Sequence, residues 1–209
     1  MPILNLIAYF QDRRDEVPNV ELAKQLAEKK DKKGIREIAE NLWNENPAVQ
    51  ADCVKVLYEI GYRKPELIAD YADDFLKLLK SKNNRLVWGG MTALGTIAAL
   101  KADFILKHRV EVITAIENGS VITVDNGIQT LALAAAQGDK YRKVLFRFLF
   151  KHLATCRPKD VPQHAEKTLT AVSAKNQAEF VAVLERRMRD MTGSQAARVK
   201  KAIKEAAKR

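Results

Sequence analysis

Residues of like kind recur every 37 positions along this chain. Ile38, Phe75, Val112 and Leu149 form one ladder, and Leu42, Leu79, Ile116 and Leu153 form a second, four residues on. Cys53, Gly90 and Gly127 form a third, continued one residue late by Ala165. Leu57, Leu94 and Leu131 form a fourth, continued by Leu169. A fixed period of this kind means one supersecondary unit stacked on copies of itself, because a single copy cannot bury its own apolar face. The spacing within the unit is helical. A first helix puts apolar residues at i and i+4 (Phe75 and Leu79, Val112 and Ile116). A second carries a small residue, then Leu at i+4 and an apolar residue at i+7, as in Gly90, Leu94 and Ile97. The small position lets neighbouring helices approach closely, and the Leu and Ile fill the core between repeats. The expected fold class is all-α, an α-solenoid of about five to six helical hairpins.

The expected organisation is a single solenoid over 1–209. It has an N-terminal capping hairpin at 1–33, four repeats over 34–175 and a basic C-terminal hairpin at 176–209. Pro2 to Gln11 reads as a short helix with Ile3, Leu4, Ile7 and Phe10 on one side, and Asn19 as the N-cap of a helix running to Lys30. The helix pairs fall at 34–44 and 47–61, 69–80 and 84–100, 106–118 and 124–137, and 140–155 and 161–174. A last pair lies at 177–191 and 194–207. Pro47 suits a first helical turn. Val121 to Val124 has strand-like propensity, but its place in the repeat makes it a turn and helix entry.

Leu78-Leu-Lys-Ser-Lys-Asn-Asn-Arg-Leu-Val-Trp-Gly-Gly-Met-Thr-Ala-Leu-Gly-Thr-Ile-Ala98 resembles the HEAT repeat. In that pattern the first helix ends in a Leu-Leu pair, the turn carries Asn or Asp, and the second helix ends Ala-Leu-Gly-x-Ile. Asn46 to Gly61 is a weaker copy, and 106–137 keeps the spacing with less identity. The resemblance covers about 34–175. It implies a curved, right-handed solenoid of the ARM/HEAT-like kind, with second helices lining a concave face and first helices outside. HEAT proteins are mostly binding scaffolds. A minority, the HEAT-like alkylpurine DNA glycosylases, are enzymes.

Charge separates the two parts of the sequence. Of the 36 Lys and Arg and 26 Asp and Glu, residues 140–209 hold 18 and 6, for +12, and residues 1–139 hold 18 and 20, for −2. Such an imbalance speaks of partners rather than of fold. No apolar run approaches the roughly 20 residues that span a bilayer, so no membrane partner is expected. The apolar start, to Phe10, lacks the basic region and cleavage site of a signal peptide. Cys53 and Cys156 lie about 100 positions apart in different parts of the repeat. No disulfide and a cytoplasmic setting are therefore expected.

Two groups of residues are candidates for binding. On the second helices, Arg85, Trp88 and Thr92 share a stripe outside the core ladder. Stepping by the repeat gives Lys55, Asp125, Gln129, Gln163 and Lys167 as companions on the concave face. Trp88 is either an anchor for a partner side chain or nucleobase, or packing between neighbouring second helices. The second group is basic. Lys140, Lys143, Arg147 and Lys151 follow one another at i, i+3, i+7 and i+11, and Arg187, Arg198, Lys201 and Lys204 lie among the cations of the C-terminus. They read as a phosphate-binding surface or as a solvated polar face.

No cofactor and no metal site are expected. His108, His152 and His164 look isolated, without HxxxH or HxxE spacing and without a Cys or carboxylate placed to join them. Asp70, Asp73 and Asp74 open a helix, where anions are favoured on that ground alone. No catalytic motif is present. The expectation is thus a non-enzymatic scaffold that binds a protein segment or nucleic acid through its concave face and basic C-terminal half. The alternative is a DNA-acting enzyme of the HEAT-like glycosylase type, which would place Asp125 near Trp88. End-to-end self-association is a further mode open to a stacked repeat.

Overall fold

The computed structural model describes residues 2–209. Among these the secondary structure is entirely helical: α1 Val17–Lys29, α2 Lys32–Glu40, α3 Pro47–Arg63, α4 Ala72–Leu78, α5 Asn84–Ile97, α6 Ala102–Lys107, α7 Arg109–Glu117, α8 Val121–Ala135, α9 Asp139–Thr155, α10 Val161–Thr168, α11 Gln177–Arg187 and α12 Gly193–Ala206, with short 3-10 turns between them. The chain divides into two compact units. One comprises residues up to Lys101 together with Val110–Gly127, and the other Ala102–Arg109 with Ile128–Arg209.

In the first unit α1 packs on α3, α3 on α5 and α4 on α5. The ladders are its core: Ile38, Leu42, Leu57, Phe75, Leu94 and Val112 are all buried. Gly90 is where α4 and α5 meet. A Cβ there would stand 2.9 Å from the Phe75 carbonyl oxygen and 2.9 Å from the Leu78 Cβ. At Gly127 it would stand 2.3 Å from the Ile116 Cγ1, on α7. Both glycines fill the role the repeat assigns them, that of letting one helix backbone lie against the next. Asn46 and Asn83 cap α3 and α5, accepting from the amides of Ala48 (2.9 Å) and Arg85 (3.0 Å).

The segment before α1 departs from expectation. Pro2 to Gln11 forms two 3-10 turns, Ile3–Leu6 and Tyr9–Gln11, rather than an α-helix, and Phe10 is exposed. Side chains hold the segment in place. The Leu4 amide donates to Glu37 Oε1 (2.9 Å), the Ala8 amide to Asn19 Oδ1 (2.9 Å) and the Tyr9 amide to Asp52 Oδ2 (2.8 Å). Asn19 Nδ2 donates in turn to Asp52 Oδ1 (2.9 Å). Asn19 is therefore not an N-cap. The helix begins at Val17 with Pro18 in its first turn, and Asn19 is fully buried, bridging this segment to α3.

In the second unit α9 packs on α6 and α11, α10 on α12, and α11 on α12. Leu131, Leu149 and Leu153 are buried, and Leu169 is half-buried in the 3-10 turn Leu169–Ala171 that ends α10. Thr192 and Gln195 form a reciprocal capping box at the start of α12. One expected helix is split. The segment 106–118 is α6 and α7, interrupted at His108, and the chain passes from one unit to the other between Arg109 and Val110. The α6 half packs on α9, whereas the α7 half brings Ile116 against Gly127.

Candidate binding surfaces

On the first unit the outer stripe of α3 and α5 is polar and aromatic. Lys55 lies at the centre of an ion network. Its Nζ is 3.0 Å from Glu16 Oε2, 3.0 Å from Glu59 Oε1 and 4.9 Å from the centre of the Tyr58 ring. Burial alone would lower its pKa, but the hydrogen bonds with Glu59, Tyr58 and Glu16 outweigh that and raise it. Glu59 also accepts from Arg63 (2.7 Å). Burial pushes its carboxyl up, and the two cations bring it below the ordinary value. Arg85 Nη2 reaches Glu16 Oε1 at 3.0 Å.

Trp88 is half-buried, with its ring centre 6.1 Å from that of Tyr58. Tyr62, 61% exposed, meets Tyr58 edge-on at 5.9 Å. Thr92 is buried, donates to the Trp88 carbonyl (2.8 Å) and accepts from Asn126 Nδ2 (2.7 Å), which links α5 to α8. Lys55, Arg85, Trp88 and Thr92 are thus brought together, and Asp125 is half-buried on α8 beside Asn126. Gln129, exposed, and Gln163 and Lys167, half-buried, belong to the second unit. Tyr58 and Tyr62 were missed by sequence reasoning. The signal was present: Ala51 is the repeat equivalent of Trp88, and Ala51, Lys55, Tyr58 and Tyr62 continue its stripe at i, i+4, i+7 and i+11.

On the second unit the basic residues fall into two kinds. Several are held. Lys140 pairs with Asp103, Arg198 binds Glu166 with both arms of its fork (2.9 and 2.6 Å), and Lys175 pairs with Asp139. Arg187 is half-buried, and its guanidinium donates to the carbonyls of Leu153 (2.9 Å) and Cys156 (2.7 Å) at the end of α9. Lys143, Arg147 and Lys151 are different. They are exposed along α9, and no carboxylate among the described residues binds them. Lys143 and Arg147 edge an open cleft of about 390 Å³ shared with Arg142, Phe146, Phe150 and Glu179. Lys201 and Lys204 are exposed on α12.

Two of the three histidines are not isolated. His152 Nε2 lies 2.9 Å from His164 Nδ1, and Cys156 joins them in a group whose nitrogen and sulfur atoms all lie within 4.8 Å of one another. Burial pushes the Cys156 thiol up to about 11, Asp160 adds to that shift, and Arg187 opposes it. The i, i+4 spacing of His152 and Cys156 was readable, but nothing in local spacing brings His164 to them. Both cysteines are free thiols.

The chain superposes on helical-repeat structures over nearly its whole length. An engineered protein solved as a structural-genomics target aligns with a TM-score of 0.65 and 18% identity, over 99% of this chain and 95% of that one. A designed armadillo repeat protein in complex with the peptide (KR)4 aligns with a TM-score of 0.69 and 12% identity, over 90% of this chain and 85% of that one. The fold is an ARM/HEAT-like α-solenoid. Kap121p bound to Pho4p also matches, with a TM-score of 0.67 and 13% identity over 91% of this chain, which spans 22% of Kap121p. Two of these three neighbours were solved with a peptide or a protein bound. No protein-family profile and no curated protein sequence matches the chain. No helix among the described residues is long and apolar enough to cross a membrane.

Proposed function

We propose that this protein is a non-enzymatic interaction scaffold that holds an extended acidic partner, a protein segment or a nucleic-acid backbone, against α9. The observation that carries the reading is the row Lys143, Arg147 and Lys151, which is exposed and bound by no carboxylate among the described residues. Several other cations of the second unit have carboxylate partners, as Lys140, Lys175 and Arg198 do. The adjoining cleft offers the aromatic walls of Phe146 and Phe150 to whatever lies along the row. The designed armadillo protein was solved with a basic peptide. A partner of opposite sign suits the +12 of residues 140–209 here. The Tyr58, Tyr62 and Trp88 surface is a second contact for a protein segment, with its ion network already closed on itself.

The test is fluorescence anisotropy with labelled duplex DNA, single strand, RNA and a poly-glutamate peptide at about 50 and 200 mM salt. Counterion release makes the affinity for nucleic acid fall steeply over that range if several phosphates are contacted. Binding that Lys143→Glu, Arg147→Glu and Lys151→Glu together abolish supports the reading. No binding to any probe at low salt overturns it. Release of methylated bases from alkylated DNA would instead establish the glycosylase alternative.

A further inference from the structure

We infer that His152, Cys156 and His164 form a binding site for a borderline-soft transition metal of the zinc class. The site rests on geometry. His152 and Cys156 are one helical turn apart at the end of α9, so their side chains leave the same face. His164 enters from the first turns of α10, with only 1% of its surface exposed. Two ring nitrogens and one sulfur from two helices converge within 4.8 Å. This donor set of two imidazoles and a thiolate is one that zinc takes, and calcium and magnesium, which take oxygen ligands, do not.

The spacing of the two nitrogens fits the ion with little movement. Two nitrogens bound to one tetrahedral zinc at about 2.0–2.1 Å stand roughly 3.3 Å apart. The 2.9 Å between His152 Nε2 and His164 Nδ1 reaches that with a small rotation of either ring. Ligation replaces the thiol proton of Cys156, which leaves to solvent, by a metal–sulfur bond. Three protein donors leave a fourth position for water or an outside ligand.

Arg187 sets the frame from the other side. Its bonds to the Leu153 and Cys156 carbonyls fix the turn that carries the sulfur, and its cation favours the charged form of the Cys156 sulfur. The site clips α9 to α10, so the ion would act as a cross-link within the second unit and stabilise the folded form that assembles it.

The experiment uses the untagged full chain, stripped with chelator and titrated with Co2+. Expected is an endpoint at one ion per chain, with a thiolate-to-cobalt charge-transfer band and strong visible bands, both displaced by Zn2+. Zinc should also raise the thermal midpoint by several degrees. Because His164 is buried, the primary variant is Cys156→Ser. It should keep the circular dichroism and chelated midpoint of the parent while losing the charge-transfer band. His152→Ala should weaken zinc binding at least tenfold, and Cys53→Ala should leave the band intact. Absence of the band in the parent protein, or its survival in Cys156→Ser, overturns the inference.

Discussion

Asp52 accepts from the Tyr9 amide with one carboxylate oxygen and from the Asn19 side chain with the other, in a nearly closed environment. Replacing it with alanine leaves the buried Asn19 donor and the part-buried Tyr9 amide without acceptors. Asp52→Ala should therefore cost about 1–3 kcal/mol, read as a lower urea midpoint at unchanged slope. Glu59 carries a pH signature. Its pKa is held below the ordinary carboxylate value by Arg63 and Lys55. The stability it contributes is full above the unfolded-state pKa and is lost as the pH falls through the lower folded-state value. Glu59→Gln should flatten that acid limb in a series of thermal melts from neutral pH downward. Neither role of the polar pairs was visible in the sequence. Asn19 resembled a cap because asparagine favours that position. What recruits it instead is a carboxylate 33 positions away, and local pattern carries no such information. The pairing of His152 with His164 was hidden for the same reason, while Arg85, Trp88 and Thr92 could be read as one stripe from helical spacing alone.

At the scale of elements, helix propensity and packing pull in opposite directions at Gly90. Alanine is favoured over glycine in a helix interior by about 1 kcal/mol. Its Cβ would stand 2.9 Å from a backbone carbonyl, which cannot swing aside as a side-chain end can. Packing wins, and Gly90→Ala should destabilise by about 1–3 kcal/mol in chemical denaturation. At the end of α9, Arg187 satisfies carbonyls that the helix cannot. Arg187→Met keeps most of the side-chain length and removes the donors. It should lower stability by about 1–3 kcal/mol with no change in α9 propensity. The helices themselves were legible, because the 37-residue ladders are apolar and buried from Ile38 to Leu153. Their ends were less so. Several close in 3-10 turns, at Asn41–Trp43, Leu169–Ala171 and Met188–Asp190, where the hydrophobic period alone does not mark the stop. The split at His108 was also unreadable, since α6 and α7 keep the spacing of one helix and differ only in what they pack on.

Over the whole molecule, the net charge of +10 is concentrated in residues 140–209. Some of those cations are tied to carboxylates, so the surface available to a partner is smaller than the formal count suggests. This has a measurable consequence. Charge reversal of the paired Arg198 should weaken binding to an acidic probe less than reversal of Arg147, although both remove one cation. Salt-dependence plots of the two variants separate them, with the larger drop in slope at Arg147. The position of the row was legible in the sequence. Which of its members are committed elsewhere, as Lys140 is to Asp103, needed the fold. The close seating of Gly90 and Gly127 also bears on how this protein yields to force. With a carbonyl or a branched side chain lodged where a side chain would otherwise stand, α4 cannot slide along α5, nor α7 along α8. Under tension in an optical trap each hairpin should part as a unit, in discrete rips, with the compliance before each rip residing in the seams between hairpins.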